Sequence, residues 1–378
     1  METLLFIYGT RPEAIKMAPL IKAFQEYPDI FDVQICLTGQ HRQMLDQIND
    51  FFGIQGDYDL NLMSPNQTLF DITTRCLSGL KGVLEQVKPD IIFVQGDTTS
   101  VMAGALSGFY ERIPVAHLEA GLRSGHKYSP FPEELNRIIT GHIADYHFAP
   151  TNRAVENLEK EGIINNVYMV GNTVIDALYL GLDIIKTENT GRYKDFFKFL
   201  DFSKKIILVT GHRRESFGDS FENICRSIAY IADTNKGIHF VYPMHFNPNV
   251  REPVNRILKN IANIHLIEPL DYPYLIWLME KCFFVLTDSG GIQEEAPALG
   301  KPVLVMRDVT ERQEGIDAGT AKLVGTQYTD LVMAMKELLN NNKVYCDMAN
   351  AVNPYGDGNT SKRIVEIIKN RGIDYDAV

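Results

Sequence analysis

The sequence contains few cysteines, and they form no recognisable pattern. There are five among 378 residues. They are odd in number and widely spaced, and no two of them form a Cys-x-x-Cys pair. This arrangement argues against a disulfide framework and against a zinc knuckle. We therefore expect reduced cysteines and a cytoplasmic protein.

Long apolar runs are also missing. No stretch approaches the ~20 apolar residues that a membrane-spanning helix needs, so we expect no membrane partner. The run Leu4–Tyr8 near the N-terminus has neither a basic flank nor a small-residue cleavage site. It therefore does not have the pattern of a signal peptide.

Positive charge is in deficit. Lys and Arg number 37 against 48 Asp and Glu, which gives a net charge of −11. A nucleic-acid-binding protein would need a basic surface, so we expect no nucleic-acid partner. An anionic small ligand is still compatible with this balance, because a few local Arg and Lys residues suffice to bind it.

Three common signatures are absent as well. No strand is followed by Gly-x-Gly-x-x-Gly, and no His-Glu-x-x-His occurs. Gly300-Lys301 is followed by proline instead of the Ser or Thr of a Walker A loop. These absences disfavour NAD-dependent dehydrogenases, P-loop NTPases and zinc metalloproteases.

What the sequence does contain is a regular alternation of short apolar runs, such as Ile91–Gln95, with longer amphipathic stretches, such as Ala14–Gln25. This pattern predicts an α/β protein with doubly wound parallel sheets. The alternation is interrupted at Ile184–Ser203, which fits a linker or an irregular helix, and then resumes. We therefore predict two Rossmann-like domains that face each other across a cleft.

The segment Gly9–Lys16 follows the first predicted strand, where open α/β sheets bind ligands. Arg11 and Lys16 place two cations beside a helix N-terminus, an arrangement that suits a phosphate. A capped turn with two solvated charges would have the same sequence, so both interpretations stay open.

The segment Asp288–Glu295 is a second candidate phosphate site. Ser289, Gly290 and Gly291 precede a predicted helix and expose backbone N–H groups with no bulky side chain in the way. Glu295, one turn further on, is placed to accept hydrogen bonds from ribose hydroxyls. The alternative is a turn that uses glycine for close packing.

Three carboxylates lie at element ends. Asp97 and Glu119 directly follow predicted strands, and Glu133 begins a helix after Pro-Phe-Pro. If these strands are near neighbours, the carboxylates share a crevice, and crowding then provides a protonated acid beside an ionised base. Taken singly, each is better explained as a helix cap or a first-turn charge.

Histidines and arginines follow strands of the second half. His212 comes directly after one strand and precedes two arginines, which together can neutralise an anion. His245 follows another strand, and Arg312 lies in a polar loop. Each is a weak signal alone, since a lone histidine is more often structural and a charge run is more often solvated.

The motifs together resemble those of the non-hydrolysing UDP-N-acetylglucosamine 2-epimerases of bacteria. The matching segments follow the family order along nearly the whole chain. They are GTRPEAIKMAPL, TGQHRQMLDQ, QGDTTS, HLEAGLRSG, SPFPEELNR, VTGHRRESFG, YPMHFNPNV, DSGGIQEEAPALGKPVLVMR and TER.

The resemblance implies a GT-B fold and a homodimer. The expected N-terminal domain covers 1–180, the expected UDP-binding domain covers 181–355, and a final helix within 356–378 packs back on the first domain. The implied reaction interconverts UDP-GlcNAc and UDP-ManNAc, with no cofactor such as NAD and no catalytic metal ion. UDP leaves by anti elimination to give 2-acetamidoglucal, and then adds back with the proton on the other face of C2.

Residue roles follow from the matching motif positions. Asp97, Glu119 and Glu133 match the acid–base carboxylates. Arg11, Lys16 and His212 match the residues that stabilise the leaving diphosphate, and Ser289, Gly290 and Gly291 match its backbone cradle. Glu295 matches the ribose contact, and Arg312 matches a further arginine that contacts the ligand.

Some family members have a second UDP-GlcNAc site that activates the enzyme. The residues that match this allosteric site are Gln40, His41, Gln43 and His245. The sequence also departs from the family at two positions. Gln313 replaces a frequent proline beside Arg312, and Leu275 stands where a phenylalanine near uracil is common.

Four other functions fit part of the pattern. They are the same chemistry on a modified UDP-sugar, a hydrolysing epimerase that releases ManNAc and UDP, a GT-B glycosyltransferase, and a nucleotide-sugar sensor. The three acids argue against the sensor, because binding alone does not need them. Product analysis distinguishes the enzyme classes.

Overall fold

The structure is a computed structural model that describes residues 1–39, 42–64, 66–188 and 191–371. The chain forms two compact units. The first consists of Met1–Leu180 together with the chain from Tyr355 onwards, and the second consists of Gly181–Pro354. Each unit is built on its own parallel sheet.

The first unit contains a seven-stranded sheet. Its strands are β1 (Glu2–Tyr8), β2 (Phe31–Leu37), β3 (Tyr58–Asp59), β4 (Ile91–Gln95), β5 (Val115–Leu118), β6 (Tyr146–Ala149) and β7 (Val167–Met169). All neighbouring strands are parallel, in the order β3-β2-β1-β4-β5-β6-β7. The strand order reverses between β1 and β4, and ligands of such sheets bind at the carboxyl ends beside this point.

Helices alternate with these strands. They are α1 (Arg11–Gln25), α2 (Arg42–Phe52), α3 (Leu69–Val87), α4 (Thr99–Glu111), α5 (Glu133–Ile143), α6 (Asn152–Lys160) and α7 (Thr173–Glu188), the last of which continues into the second unit. Strands β1 and β4 are apolar and buried, as expected for parallel strands covered on both faces. In the core beneath them the Phe6 and Phe93 rings stack with centroids 4.7 Å apart.

Helix α1 begins at Arg11, before the predicted start at Ala14. Thr10 is its N-cap, and the Glu13 carboxylate accepts the Thr10 backbone N–H at 2.8 Å to complete a capping box. Pro12 lies in the first turn, where a missing N–H costs nothing. The capping hydrogen bonds therefore set the start of the helix, three residues before the apolar pattern begins at Ala14.

The second unit contains a six-stranded parallel sheet. Its strands are β8 (Lys205–Thr210), β9 (Ile238–Pro243), β10 (Ile264–Ile267), β11 (Phe284–Thr287), β12 (Val303–Val305) and β13 (Ala321–Leu323). They follow the order β10-β9-β8-β11-β12-β13, which reverses between β8 and β11. Its helices are α8 (Arg192–Phe196), α9 (Asp219–Thr234), α10 (Pro248–Leu258), α11 (Tyr272–Lys281), α12 (Gly290–Ala298), α13 (Gln313–Asp317), α14 (Tyr328–Asn340) and α15 (Asn342–Ala349).

The interruption predicted at Ile184–Ser203 contains helical structure. Helix α7 continues into it, and the short helix α8 follows. Tyr193 and Phe197 are buried, and the Phe197 ring stacks on Trp277 of α11 with centroids 5.3 Å apart. Packing of these aromatic rings therefore holds a segment that has little periodicity of its own.

The last helix, α16 (Thr360–Lys369), packs against α1 of the first unit. Asp176 of α7 accepts the backbone N–H groups of Ser361 at 2.7 Å and Thr360 at 3.3 Å. This carboxylate caps α16 from another helix. The chain is thus fastened to the first unit after its return from the second.

The structure also tests the expectations about the cysteines and about membrane-spanning helices. The cysteines are free thiols, and four of them are buried. Burial raises the pKa of Cys76, Cys225 and Cys282 to about 12, so these thiols stay protonated and unreactive. Among the described residues, no helix is long and apolar enough to cross a membrane.

Candidate functional site

Glu119 directly follows β5 and is held by several donors. Lys16 Nζ lies 2.6 Å from both of its carboxylate oxygens. Gln95 Nε2 donates to Oε2 at 2.5 Å, and Asn172 Nδ2 donates to Oε1 at 3.2 Å. The Glu119 backbone has φ 62°, in the left-handed region that non-glycine residues seldom adopt. This carboxylate is therefore paired with a cation and held in one direction at the carboxyl edge of the sheet.

The two cations predicted beside this edge are placed differently. Lys16 is largely buried and pairs with Glu119, whereas Arg11 is exposed at the first position of α1. The geometry therefore gives Lys16 a role in holding the carboxylate. A contact of either cation with a diphosphate stays a prediction.

Asp97 follows β4 and is tied to α5. Arg137 Nη2 donates to Asp97 Oδ2 at 2.5 Å, and Asn136 Nδ2 donates to the Asp97 carbonyl at 3.0 Å. Arg137 also donates to Glu134, which is buried. Strands β4 and β5 are paired neighbours, so Asp97 and Glu119 follow adjacent strands, as their proposed joint role requires.

Glu133 is the first residue of α5, as predicted. Its Oε2 is buried and has no hydrogen-bond partner among the described residues. A buried carboxyl oxygen of this kind is costly unless a ligand satisfies it. Because Asn136 and Arg137 of the same helix reach Asp97, α5 brings Glu133 to the loop after β4.

Glu13 was missed by the sequence analysis. It is buried, and it accepts hydrogen bonds from the Gly9 and Thr10 backbone N–H groups and from the Thr98 hydroxyl. Burial raises the pKa of this carboxyl above its usual value. Glu13 thus links the turn before α1 to Thr98, the residue that follows Asp97. The capping-box spacing of Thr10 and Glu13 was the signal that could have indicated it.

In the second unit, Asp288 joins two strand ends. Its Oδ2 accepts the backbone N–H groups of His212 at 2.7 Å and Arg213 at 2.8 Å. The His212 ring stacks on His245, with centroids 5.0 Å apart and planes 10° apart. The structure therefore brings together two histidines that the sequence placed on separate loops. Asp288 itself was not singled out from the sequence.

The predicted diphosphate cradle is the start of α12. Ser289 is the N-cap, its side chain makes no capping bond, and its own N–H donates to Thr287 Oγ1 at 2.9 Å. A Cβ at Gly290 would lie 3.3 Å from Glu311 Oε1 and 3.7 Å from Arg312 Cζ. A side chain at this position would therefore press against Glu311, and the buried Gly290 begins the helix without one.

Of the two other predicted ligand contacts, Glu295 lies within α12 and Arg312 is the N-cap of α13. Glu295 is buried and accepts a hydrogen bond from the Tyr272 hydroxyl at 3.1 Å. Burial and the neighbouring Glu295 raise the pKa of Tyr272 well above its usual value, so the phenol stays a donor. Arg312 Nε donates to the buried Glu294. The ribose contact of Glu295 and the ligand contact of Arg312 stay predictions.

The residues expected at a second nucleotide-sugar site are only partly described. Gln40 and His41 lie outside the described residues, as does the side chain of Gln43, whereas His245 stacks on His212. Within the described parts of the chain, no three His, Cys, Asp or Glu side chains are grouped as a metal site would require.

Comparison with known proteins identifies the family. A family model described as UDP-N-acetylglucosamine 2-epimerase matches residues 22–369. The chain belongs to the UDP-N-acetylglucosamine 2-epimerase family. A UDP-N-acetylglucosamine 2-epimerase of Yersinia pestis is 54% identical over 372 residues, which cover 98% of this chain and 99% of that protein.

Solved structures of the family agree. The UDP-GlcNAc 2-epimerase of Neisseria meningitidis, bound to UDP-GlcNAc, is 48% identical with a TM-score of 0.90, and the match covers 98% of this chain and 100% of that one. The Methanocaldococcus jannaschii enzyme, in complex with UDP-GlcNAc and UDP, is 35% identical with a TM-score of 0.80, over 97% of this chain and 99% of that one. The expected family and the GT-B fold are confirmed.

Proposed function

We propose that this chain catalyses the reversible C2 epimerisation of UDP-GlcNAc and UDP-ManNAc without releasing free sugar. The observation that carries the proposal is the environment of Glu119, which receives hydrogen bonds from Lys16, Gln95 and Asn172 at a strand end. A sugar-binding protein would not need a carboxylate held so firmly. A proton-transfer enzyme would, because the base must be both ionised and aimed at one atom.

The reaction has two halves. In the first, a carboxylate removes the C2 proton while the C1–O bond breaks, so UDP leaves with the bonding electrons and 2-acetamidoglucal forms. In the second, a UDP oxygen adds back to C1 while a carboxylic acid delivers a proton to the opposite face of C2. The C2–H bond is a very weak acid, so the departing diphosphate must be stabilised as the proton is lost.

The two units supply different parts of this chemistry. Asp97, Glu119 and Glu133 of the first unit carry the protons. In the second unit, the N-terminus of α12 and His212 hold UDP, with Glu295 on the ribose. The unpartnered Glu133 oxygen and the two glycines that begin α12 both support this division.

Three further properties belong to the proposal. The reaction uses neither NAD nor a metal ion, in agreement with the missing dinucleotide fingerprint. The active form is a homodimer, which light scattering of the purified protein tests. An activating UDP-GlcNAc site contains His245, and rates measured with UDP-ManNAc, with and without added UDP-GlcNAc, test it.

Proton NMR of UDP-GlcNAc with the protein in D2O, and with no added cofactor, tests the reaction. We expect UDP-ManNAc with deuterium at C2 and no accumulation of free sugar. Free ManNAc plus UDP would instead indicate a hydrolysing epimerase. If the C2 proton signal persisted unchanged, UDP-GlcNAc would not be a substrate, and modified UDP-sugars and acceptors would be tested next.

A further inference from the structure

The loop after β8 is anchored by one buried carboxylate. Asp288 is 2% exposed, and its Oδ2 accepts the backbone N–H groups of His212 and Arg213. Its other oxygen, Oδ1, is buried, has no hydrogen-bond partner among the described residues, and lies 3.8 Å from His212 Nδ1. One carboxylate oxygen therefore holds the loop, and the other faces the imidazole at ion-pair distance.

His245 contacts the same imidazole through its ring face. The His245 Nδ1 accepts the Asn247 backbone N–H at 3.1 Å. A neutral aromatic ring is attracted to a cation that lies over its face. The stack of His212 on His245 is therefore compatible with a positive charge on His212.

Other charged and titratable groups lie on the neighbouring loops. They make contacts with one another: Arg213 with Glu311, Arg307 with Glu215 and Glu311, and Tyr242 with the Gly211 carbonyl. The Asp288 carboxylate, in contrast, lies 3.8 Å from the His212 ring.

We propose that Asp288 is a positioning residue that keeps His212 protonated and oriented, so that an imidazolium meets the departing diphosphate. A carboxylate at this distance stabilises the charged ring. A cationic donor in a fixed position stabilises the negative charge that develops on the leaving oxygen. The proposed charge of His212 depends only on contacts within the second unit. Its use in catalysis rests on the proposed function.

The variant Asp288→Asn tests this proposal. It keeps the shape of the side chain and an oxygen for the two backbone N–H groups, but removes the negative charge. In the full chain, we expect the NMR titration midpoint of the His212 ring to fall by about 1 pH unit. We expect kcat near neutral pH to fall about tenfold, the ratio that such a shift represents, and to recover partly at lower pH. A residue with a purely structural role would not move the pH profile.

Two controls accompany the titration. A His212→Gln variant assigns the ring signal. His142, whose Nε2 lies 3.9 Å from Glu161 in the first unit, must titrate identically in the wild type and the variant.

An unchanged His212 midpoint would overturn the proposal. A shifted midpoint with an unchanged rate and pH profile would overturn its catalytic part. If the wild type did not epimerise UDP-GlcNAc but the midpoint still shifted, the proposed function would fail while the charge assignment stood.

Discussion

The two units have sheets of similar strand order but different chemistry at their carboxyl edges. The first unit places side-chain carboxylates there and pairs them with cations, as in Lys16–Glu119 and Arg137–Asp97. The second unit has two glycines at the start of α12, and uses one carboxylate, Asp288, to hold a loop. Related sheet topologies therefore leave the chemistry to the loops that follow the strands.

This contrast matches the two tasks of the proposed reaction. Proton transfer needs side chains whose charge and direction are set by neighbours. Diphosphate binding needs donors that approach closely, and backbone N–H groups at a helix N-terminus meet that need without a side chain. Three changes test the comparison, beginning with the largest expected effect.

Changing Glu119 to glutamine removes the charge but keeps the size of the side chain. If the first unit carries the proton transfer, kcat falls by about 10²–10⁴-fold, as expected for loss of a general base. If the second unit binds UDP, as proposed, UDP affinity measured by isothermal titration calorimetry stays unchanged.

Glu161→Gln is the matched control for that experiment. It breaks another carboxylate pair of the first unit, with Arg123, outside the proposed site. We expect this variant to keep its activity. Equal losses in both variants would show that a broken ion pair, and not a missing base, reduces the rate.

Gly290→Ala tests the second unit. The added methyl group would lie 3.3 Å from Glu311 Oε1, so the Glu311 side chain must shift to accommodate it at the start of α12. We expect UDP to bind roughly tenfold more weakly, a loss of about 1.4 kcal/mol. Gly237→Ala is the control, because a Cβ there meets no atom within 4 Å. Unchanged UDP affinity in Gly290→Ala would remove the helix start from the proposed site.

The third change, Glu13→Gln, tests the first unit through the pH dependence of its unfolding free energy. Burial raises the pKa of Glu13 above its usual 4.5, so the folded chain keeps this proton at pH values where the unfolded chain has lost it. The contribution of Glu13 to the unfolding free energy therefore falls as pH rises from about 4.5 to the folded-state pKa, by at most about 1.4 kcal/mol per pH unit.

Denaturant unfolding of wild type and Glu13→Gln at several pH values measures this effect. The stability of the variant relative to wild type should increase with pH across that window. Glu85→Gln, an exposed carboxylate on α3, should show no such trend. A parallel pH dependence in wild type and Glu13→Gln would mean that folding does not raise the pKa of Glu13.

Much of the fold was predictable because buried parallel strands are nearly continuous apolar runs. The strand Ile91–Gln95 has the bounds of the apolar run seen in the sequence. The two-residue strand Tyr58–Asp59 and the strand Ala321–Leu323 were missed. Such short strands carry too few residues for a period, and their pairing with a neighbour is what defines them.

The candidate site was predictable only as positions at strand ends. Asp97, Glu119 and His212 all follow strands, and that placement is visible in the sequence. Their partners were not visible. Neither Asn172 nor Asp288 has a local pattern that indicates which side chain or loop it contacts.

The sequence by itself determined the α/β class, the two runs of alternating strands and helices, and which side chains follow strands, because these depend on local periodicity and turn chemistry. The tertiary structure alone decided the pairs that define the site. Lys16 and Glu119 are 103 positions apart, Asn172 and Glu119 are 53 apart, and His212 and Asp288 are 76 apart. Contacts over such separations are set by the order in which strands pair, and no local pattern encodes that order.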